Sequence, residues 1–247
     1  MKNTLFIADL HLEDSAVERT EWLLEFLAGP ASKAEAVYIL GDLFEFWIGD
    51  DALSATAQQV AKATAALSAS GVPCYFMHGN RDFLLGESYA SLAGMNLLPE
   101  THVVDLYGNP TLLLHGDTLC TDDMEYQAFR QQTRDPAWQA AVLAMSIEER
   151  LQMAQSARDA SIEHTGSASM DIMDVNAEAV SEAFRTHKIT RMIHGHTHRP
   201  AFHQLELGDA TAERIVLADW HKGGSYLEVS PEGAESIKMG SGELGSE

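Results

Sequence analysis

Short apolar runs that end in a polar cluster recur along the chain. Thr4–Ala8 runs into Asp9-Leu10-His11, and Ala36–Leu40 into Gly41-Asp42. Val72–Met77 leads to His78-Gly79-Asn80-Arg81-Asp82, Thr111–Leu114 to His115-Gly116-Asp117, and Arg191–Ile193 to His194-Gly195-His196-Thr197-His198. Each run reads as a buried strand with polar side chains at its carboxyl end, where open α/β sheets place their ligands. Between the early runs the period becomes helical. Val17–Ala28 repeats Val17, Trp22, Leu23, Phe26 and Leu27, and Ser54–Ser70 repeats Val60, Ala63, Ala66 and Leu67 before Gly71-Val72-Pro73 stops it. Tyr107-Gly108-Asn109-Pro110 predicts a turn between two strands. From about residue 200, Ala201–Leu207, Arg214–Ala218 and Tyr226–Val229 alternate as antiparallel strands do. A β-α-β start and a β-rich finish predict an α/β chain of the α+β sandwich kind: two packed sheets flanked by helices.

The stretch 122–184 breaks this pattern. It is helix-rich, with apolar positions at Trp138, Ala141, Val142, Met145, Ile147, Leu151 and Met153. Lying between two polar clusters, it reads as a helical lid inserted into a core of 1–121 and 185–239. Trp47, Phe83, Tyr126 and Phe129 are candidates to join its apolar stripe. Arg130, Arg134, Arg150 and Arg158 read as cations on solvated helix faces, with lipid headgroups as the alternative. The Gly/Ser/Glu-rich tail 240–247 is expected to be disordered.

Composition narrows the class. Of 247 residues, 45% are hydrophobic, enough for a sizeable core. No stretch nears the roughly 18 apolar residues of a spanning helix, and the first apolar run is too short for a signal peptide, so a cytoplasmic location is expected. Cys74 and Cys120 form no C-x-x-C pattern. The net charge of −21 repels nucleic acid and anionic lipid, so no nucleic-acid partner is expected and a phosphate substrate must be met by local cations. No obligate protein partner is inferred.

The polar clusters supply those cations with ligands. Asp9-x-His11 places two ligands at one strand end, and Asp42 after Gly41 offers a carboxylate able to bridge two ions. Asn80 adds a neutral oxygen, His115 lies at the next strand end, and His196 and His198 repeat the two-residue spacing. Seven nitrogen and oxygen ligands without a thiolate suit two divalent ions, with manganese, iron, cobalt and zinc all compatible. A bridging carboxylate sets metals about 3.5–4 Å apart, as in-line attack at phosphorus uses. His78 and His194 are candidates to orient a ligand. His102, His164, His187, His203 and His221 read as ordinary histidines.

These clusters, in this order, resemble the calcineurin-like metallophosphoesterase superfamily: D-x-H, G-D, G-N-[HR]-[DE], H-G-D and G-H-T-H are all present. The resemblance implies a metallophosphoesterase β-sandwich flanked by helices. It implies one metal on Asp9, His11, Asp42 and His198, and another on Asp42, Asn80, His115 and His196. Ile39–Glu45, Trp47–Asp50, His78–Leu84, His115–Asp123, Ile172–Asn176 and Gly195–Pro200 are similar to the narrower UDP-2,3-diacylglucosamine pyrophosphatase family, over nearly the whole chain. That resemblance implies hydrolysis of UDP-2,3-diacylglucosamine to UMP and 2,3-diacylglucosamine 1-phosphate (lipid X) in lipid A synthesis. It further implies two divalent metals, usually Mn2+, and a peripheral position on membrane lipid at the cytoplasmic face of the bacterial inner membrane. Substrate contacts carry over as Asn80, Arg81, Asp123, Ser161, Thr165 and His196. The chain departs from the pattern at Ala168, where a Lys is frequent, which leaves one lid contact to the substrate unsupported.

Arg81 and Asn80 are the catalytic candidates. Many superfamily members have His at the Arg81 position, suited to protonating an alkoxide. A phosphate leaving group is a weak base, so a permanent guanidinium that neutralises developing charge fits a pyrophosphate bond better. The alternatives are another two-metal phosphodiesterase or phosphatase of the superfamily, or a binding module on that fold without catalysis.

Overall fold

The computed structural model describes residues 3–167, 174–208 and 210–239, and of 161–167 and 210 the backbone alone. Ala168 and the tail 240–247 lie outside the described residues, as do the side chains of Ser161 and Thr165.

In the first sheet, β1 (Thr4–Ile7), β2 (Ala36–Leu40), β3 (Cys74–Met77) and β4 (Met95–Leu97) run parallel. Antiparallel β10 (Ser225–Ser230) and β11 (Gly233–Lys238) extend it beyond β1, giving the order β11-β10-β1-β2-β3-β4. The crossovers are α1 (Val17–Ala28), α2 (Ala55–Ala69) and the short α3 (Glu87–Leu92). Alternation along the strands divides the core in two. Leu5, Ile7, Val37, Ile39 and Phe76 pack with Leu23 and Phe26 of α1 and Val60 and Leu67 of α2. Phe6, Tyr38, Leu40 and Met77 pack into the other cluster, with residues of the second sheet. Full burial of Leu23 or Phe26 stabilises by about 1.5–3 kcal/mol each. Val17, in the first turn of α1, lies outside that buried face and is exposed.

The second sheet has the order β5-β6-β7-β9-β8. It comprises β5 (Thr101–Leu106), β6 (Asn109–Leu114), β7 (Arg191–His194), β8 (Ala201–Leu207) and β9 (Ala210–Val216). Only Tyr107 and Gly108, both at positive φ, form the β5–β6 turn, so Asn109 and Pro110 belong to β6. Cys74 and Cys120 are buried, and burial pushes their thiols up to about 11 and about 12.

The excursion 122–184 is not uniform. α4 (Met124–Thr133), α5 (Pro136–Leu143) and α6 (Ile147–Ser167) form its outer part. α7 (Ala177–His187) instead packs Val180 and Phe184 into the second core cluster, because it completes the parallel β6-to-β7 crossover. Trp47, a candidate for the apolar stripe, sits in the first core cluster beside Phe44 and Tyr89, at ring distances of 4.8 and 4.5 Å. No described helix is long and apolar enough to cross a membrane.

Candidate metal centre

Main-chain hydrogen bonds draw the strand-end loops together. Asp9 N–H donates to Gly41 O at 3.1 Å, His11 N–H to Asp42 O at 3.0 Å and Leu12 N–H to Leu43 O at 2.9 Å. Gly195 N–H donates to His115 O at 2.8 Å, which joins the fourth and fifth clusters. Asp82 is a bracket rather than a partner reaching into the site. Its carboxylate accepts from Leu43 N–H at 2.7 Å and Gly79 N–H at 2.8 Å, tying the Asp42 loop to the Asn80 loop. Burial, reinforced by the nearby Asp42 charge, pushes Asp82 up to about 6.

Five of the seven candidate ligands adopt left-handed backbone conformations. Asp9, His11, Asp42, His196 and His198 have φ of 56°, 50°, 51°, 69° and 52°. Side-chain-bearing residues rarely adopt this region, and clusters of them mark functional sites where surrounding structure enforces the strain. The Asp-x-His and His-x-His pairs therefore converge through turns beyond the strand ends, not through the shared face of a pleat. Gly79 and Gly195 permit the close approach: a Cβ on Gly79 would collide with the Asp42 carboxylate, and one on Gly195 with that of Asp9.

The seven side chains meet. Asp42 Oδ2 lies 3.8 Å from His11 Nε2 and 3.8 Å from His115 Nε2, while Oδ1 accepts Arg81 N–H at 2.8 Å. His198 Nε2 is 3.7 Å from Asp9 Oδ1 and 3.4 Å from His11 Nε2. Asn80 Oδ1 lies 3.0 Å from His115 Nε2 and 2.9 Å from His196 Nδ1. His115 Nδ1 faces the Leu40 carbonyl at 2.8 Å and must carry the proton there, which leaves Nε2 as the inward nitrogen, open to a metal or to a second proton. Asp9 Oδ1 is buried without a hydrogen-bond partner, although Asp9 Oδ2 accepts His196 N–H at 2.8 Å.

Such a convergence of lone pairs and carboxylate oxygens is self-repelling unless a cation or protons sit among them, so the donor set fits a divalent metal. Charges follow the same logic. Burial opposes ionisation of Asp9, yet His198, His115 and His11 hold its carboxyl well below the usual range. Burial, then the neighbouring His115, pushes His196 down to about 4.

His194 lies behind the cluster, its Nδ1 2.8 Å from Gly195 O and its Nε2 receiving Arg214 at 3.1 Å; burial above all pushes it down to about 3. His78 bonds the Leu85 carbonyl at 2.7 Å, away from the ligands. Asp123 caps α4, accepting Tyr126 N–H at 2.9 Å. His221, read as ordinary, lies with its ring 5.4 Å from both His11 and His198. It arrives there because Trp220 N–H donates to Asp9 O at 3.1 Å, and with Asp219 and His198 it forms another metal-compatible group. Asp-x-His in Asp219-Trp220-His221 was the available signal, a repeat of the first cluster's spacing.

The arginines of the 122–184 excursion are paired, not simply solvated. Arg130 Nε donates to Asp117 at 2.9 Å and its Nη2 to Glu100 at 2.7 Å, while Arg134 donates to Gly79 O at 2.9 Å and Glu100 at 3.0 Å. Arg150 meets Asp51, and Arg158 meets Glu13 and Glu45. Tyr126 donates to Asp117 at 2.8 Å, and its ring stands 5.8 Å from His196.

Residues 2–200 match the family model described as Calcineurin-like phosphoesterase. The chain is 51% identical over 237 residues to the UDP-2,3-diacylglucosamine hydrolase of Serratia proteamaculans, covering 96% of this chain and 99% of that protein. It is 52% identical over 236 residues to the protein of the same name from Escherichia coli, with 95% and 98% covered. Among solved structures, it is similar in fold to a hypothetical protein from Pyrococcus horikoshii, with a TM-score of 0.50 at 11% identity over 96% of this chain and 88% of that one. The family match spans all seven residues of the cradle, and the chain belongs to the calcineurin-like phosphoesterase family.

Proposed function

We propose that this chain hydrolyses the pyrophosphate bond of UDP-2,3-diacylglucosamine, giving UMP and 2,3-diacylglucosamine 1-phosphate. The observation that carries the reading is the Asp42 carboxylate, 3.8 Å from His11 on one side and His115 on the other, at the centre of a set of inward acceptors. The relatives that bear this activity in their names, at 51–52% identity over nearly their full length, supply the substrate. Asp9, His11, Asp42 and His198 would hold one divalent ion, and Asp42, Asn80, His115 and His196 a second, with manganese the preferred metal. When bound, the ions polarise phosphoryl oxygens and make water a better nucleophile at neutral pH.

The chain's own residues do the rest. Arg81, placed by its main-chain bond to Asp42, puts a permanent positive charge beside the reacting phosphoryl group. Asn80 and His196 face each other across the second position and orient the phosphate. Asp123, Ser161 and Thr165 are the further residues proposed to contact substrate, from the family resemblance. The exposed Ile147 and Leu151 of α6, with Met145, offer apolar surface to acyl chains as the protein rests peripherally on the cytoplasmic face of an inner membrane.

The test is hydrolysis of UDP-2,3-diacylglucosamine with manganese in oxygen-labelled water. Label in UMP is the expected result, meaning attack at the UMP phosphorus. Label only in the lipid phosphate would overturn the mechanism, and no turnover would overturn the substrate.

A further inference from the structure

The backbone ladder that joins the first two clusters continues one step past the ligands. Glu45 N–H donates to Leu12 O at 3.0 Å, which sets the Glu45 side chain beside the His11 ring. Glu45 Oε2 lies 2.9 Å from His11 Nδ1. A carboxylate there fixes the proton on Nδ1, so the Nε2 lone pair points at Asp42 and His198. The other oxygen, Glu45 Oε1, is 3.3 Å from Nε of Arg158, which lies on α6 of the lid. Arg158 also reaches Glu13 Oε2 at 3.2 Å. Glu45 is nearly buried, its side chain 11% exposed, so neither contact is a solvated surface pair.

We infer that Glu45 is a positioning residue that holds the His11 imidazole toward a metal and shares its charge with Arg158, so that metal binding and the seating of α6 are coupled. The inference rests on the reading of His11 as a metal ligand. Ordering His11 favours the Glu45 orientation that Arg158 grips. By reciprocity, a seated α6 favours the orientation that His11 needs. α6 would thus act on the centre through the Glu45 carboxylate, without contributing a ligand.

The experiment uses the full chain and manganese alone, with binding followed by electron paramagnetic resonance and α6 followed by hydrogen exchange. Glu45→Gln is nearly isosteric and keeps an oxygen for His11 but not the charge. It is expected to weaken manganese binding roughly 10–100-fold. In the unsubstituted chain, saturating manganese is expected to slow exchange in α6 around Arg158. In Glu45→Gln and in Arg158→Met, at manganese high enough to saturate, that protection is expected to vanish. A fold-only role for Glu45 would leave the protection intact wherever metal is bound. Unchanged α6 exchange on adding manganese, or equal protection in all three proteins, would overturn the coupling. Manganese affinity unaltered in Glu45→Gln would overturn the positioning role. His11→Ala separates the two readings: if it binds manganese as the unsubstituted chain does, the metal assignment itself fails.

Discussion

The loops that carry the seven candidate ligands and the helices that cover them are fixed by different means. In the cradle the main chain does the work: loop-to-loop N–H···O bonds, the Asp82 bracket and five residues held at positive φ. In the outer helices of the 122–184 excursion the work falls to long side chains, with Arg130, Arg134, Arg150 and Arg158 each gripping a carboxylate or carbonyl of the core. Main-chain bonds leave little freedom once formed, and the strain stored in the cradle is the mark of a preorganised site. The pairs whose acidic partner is exposed, at Glu100 and Asp51, are each worth little and can be exchanged, whereas those on Asp117 and Glu45 are shielded from water.

That contrast can be broken at three points. Asp42→Asn removes the shared charge from the centre of the cradle. It should lower kcat/KM by more than about a thousandfold, since the charge stabilisation at stake is several kcal/mol, and metal stoichiometry should fall with it. An activity loss below tenfold would mean that the cradle is not the reacting site. Asp117→Asn strikes where the regions meet, because Asp117 takes Tyr126 and Arg130 from the lid while lying in the H-G-D cluster. Breaking a buried pair of this kind costs roughly 3 kcal/mol, near the low end because Arg130 keeps some water, and urea denaturation would measure it.

The same residue gives a pH signature. Burial opposes its ionisation, but His115, His196, Arg130 and Arg134 hold its carboxyl below the ordinary value of 3.8. Its folded value thus lies below its unfolded one, so its contribution is present above the unfolded value and is lost as pH falls through 3.8 toward the folded one. Metal-free Asp117→Asn should accordingly lose less stability than the unsubstituted chain between pH 5 and pH 3. Equal acid slopes would remove Asp117 from the account. The smallest effect is expected of Arg150→Met. Asp51 is exposed, so its pairing with the buried Arg150 is screened; losing that pair together with the Arg150 bond to the Ile48 carbonyl costs about 1–2 kcal/mol, below the Asp117 loss. Hydrogen exchange should quicken in the first turns of α6 and leave the cradle unchanged; a slower cradle or an unaltered α6 would contradict the division of labour.

Much of the cradle is readable from the chain because each candidate cluster follows a short apolar run bounded as strands are, and strand ends gather at one edge of a sandwich. Asp9, Asp42, Asn80, His115 and His196 all stand just beyond such runs. The left-handed turns were not readable, since Asp9 and His11 carry no glycine to announce a positive φ. Nor was the fate of Trp47, because an indole in a motif packs equally well into a lid or a core until Tyr89 and Phe44 are seen around it. The lid's arginines looked solvated because their partners, Glu100, Asp51 and Glu45, lie far away in sequence. Ion pairs of long range leave no periodicity behind.

Asn176 holds both oxygens of Asp122 at 3.0 Å while its own N–H donates to Leu119 O at 2.8 Å. The chain therefore leaves the sandwich and comes back through one narrow gate. Because the cost of closing a loop grows only slowly with its length, whatever is spliced beyond that gate can lengthen, shorten or change its lining while the sheets beneath keep their register. What the enzyme grips can thereby change without disturbing the residues of the cradle.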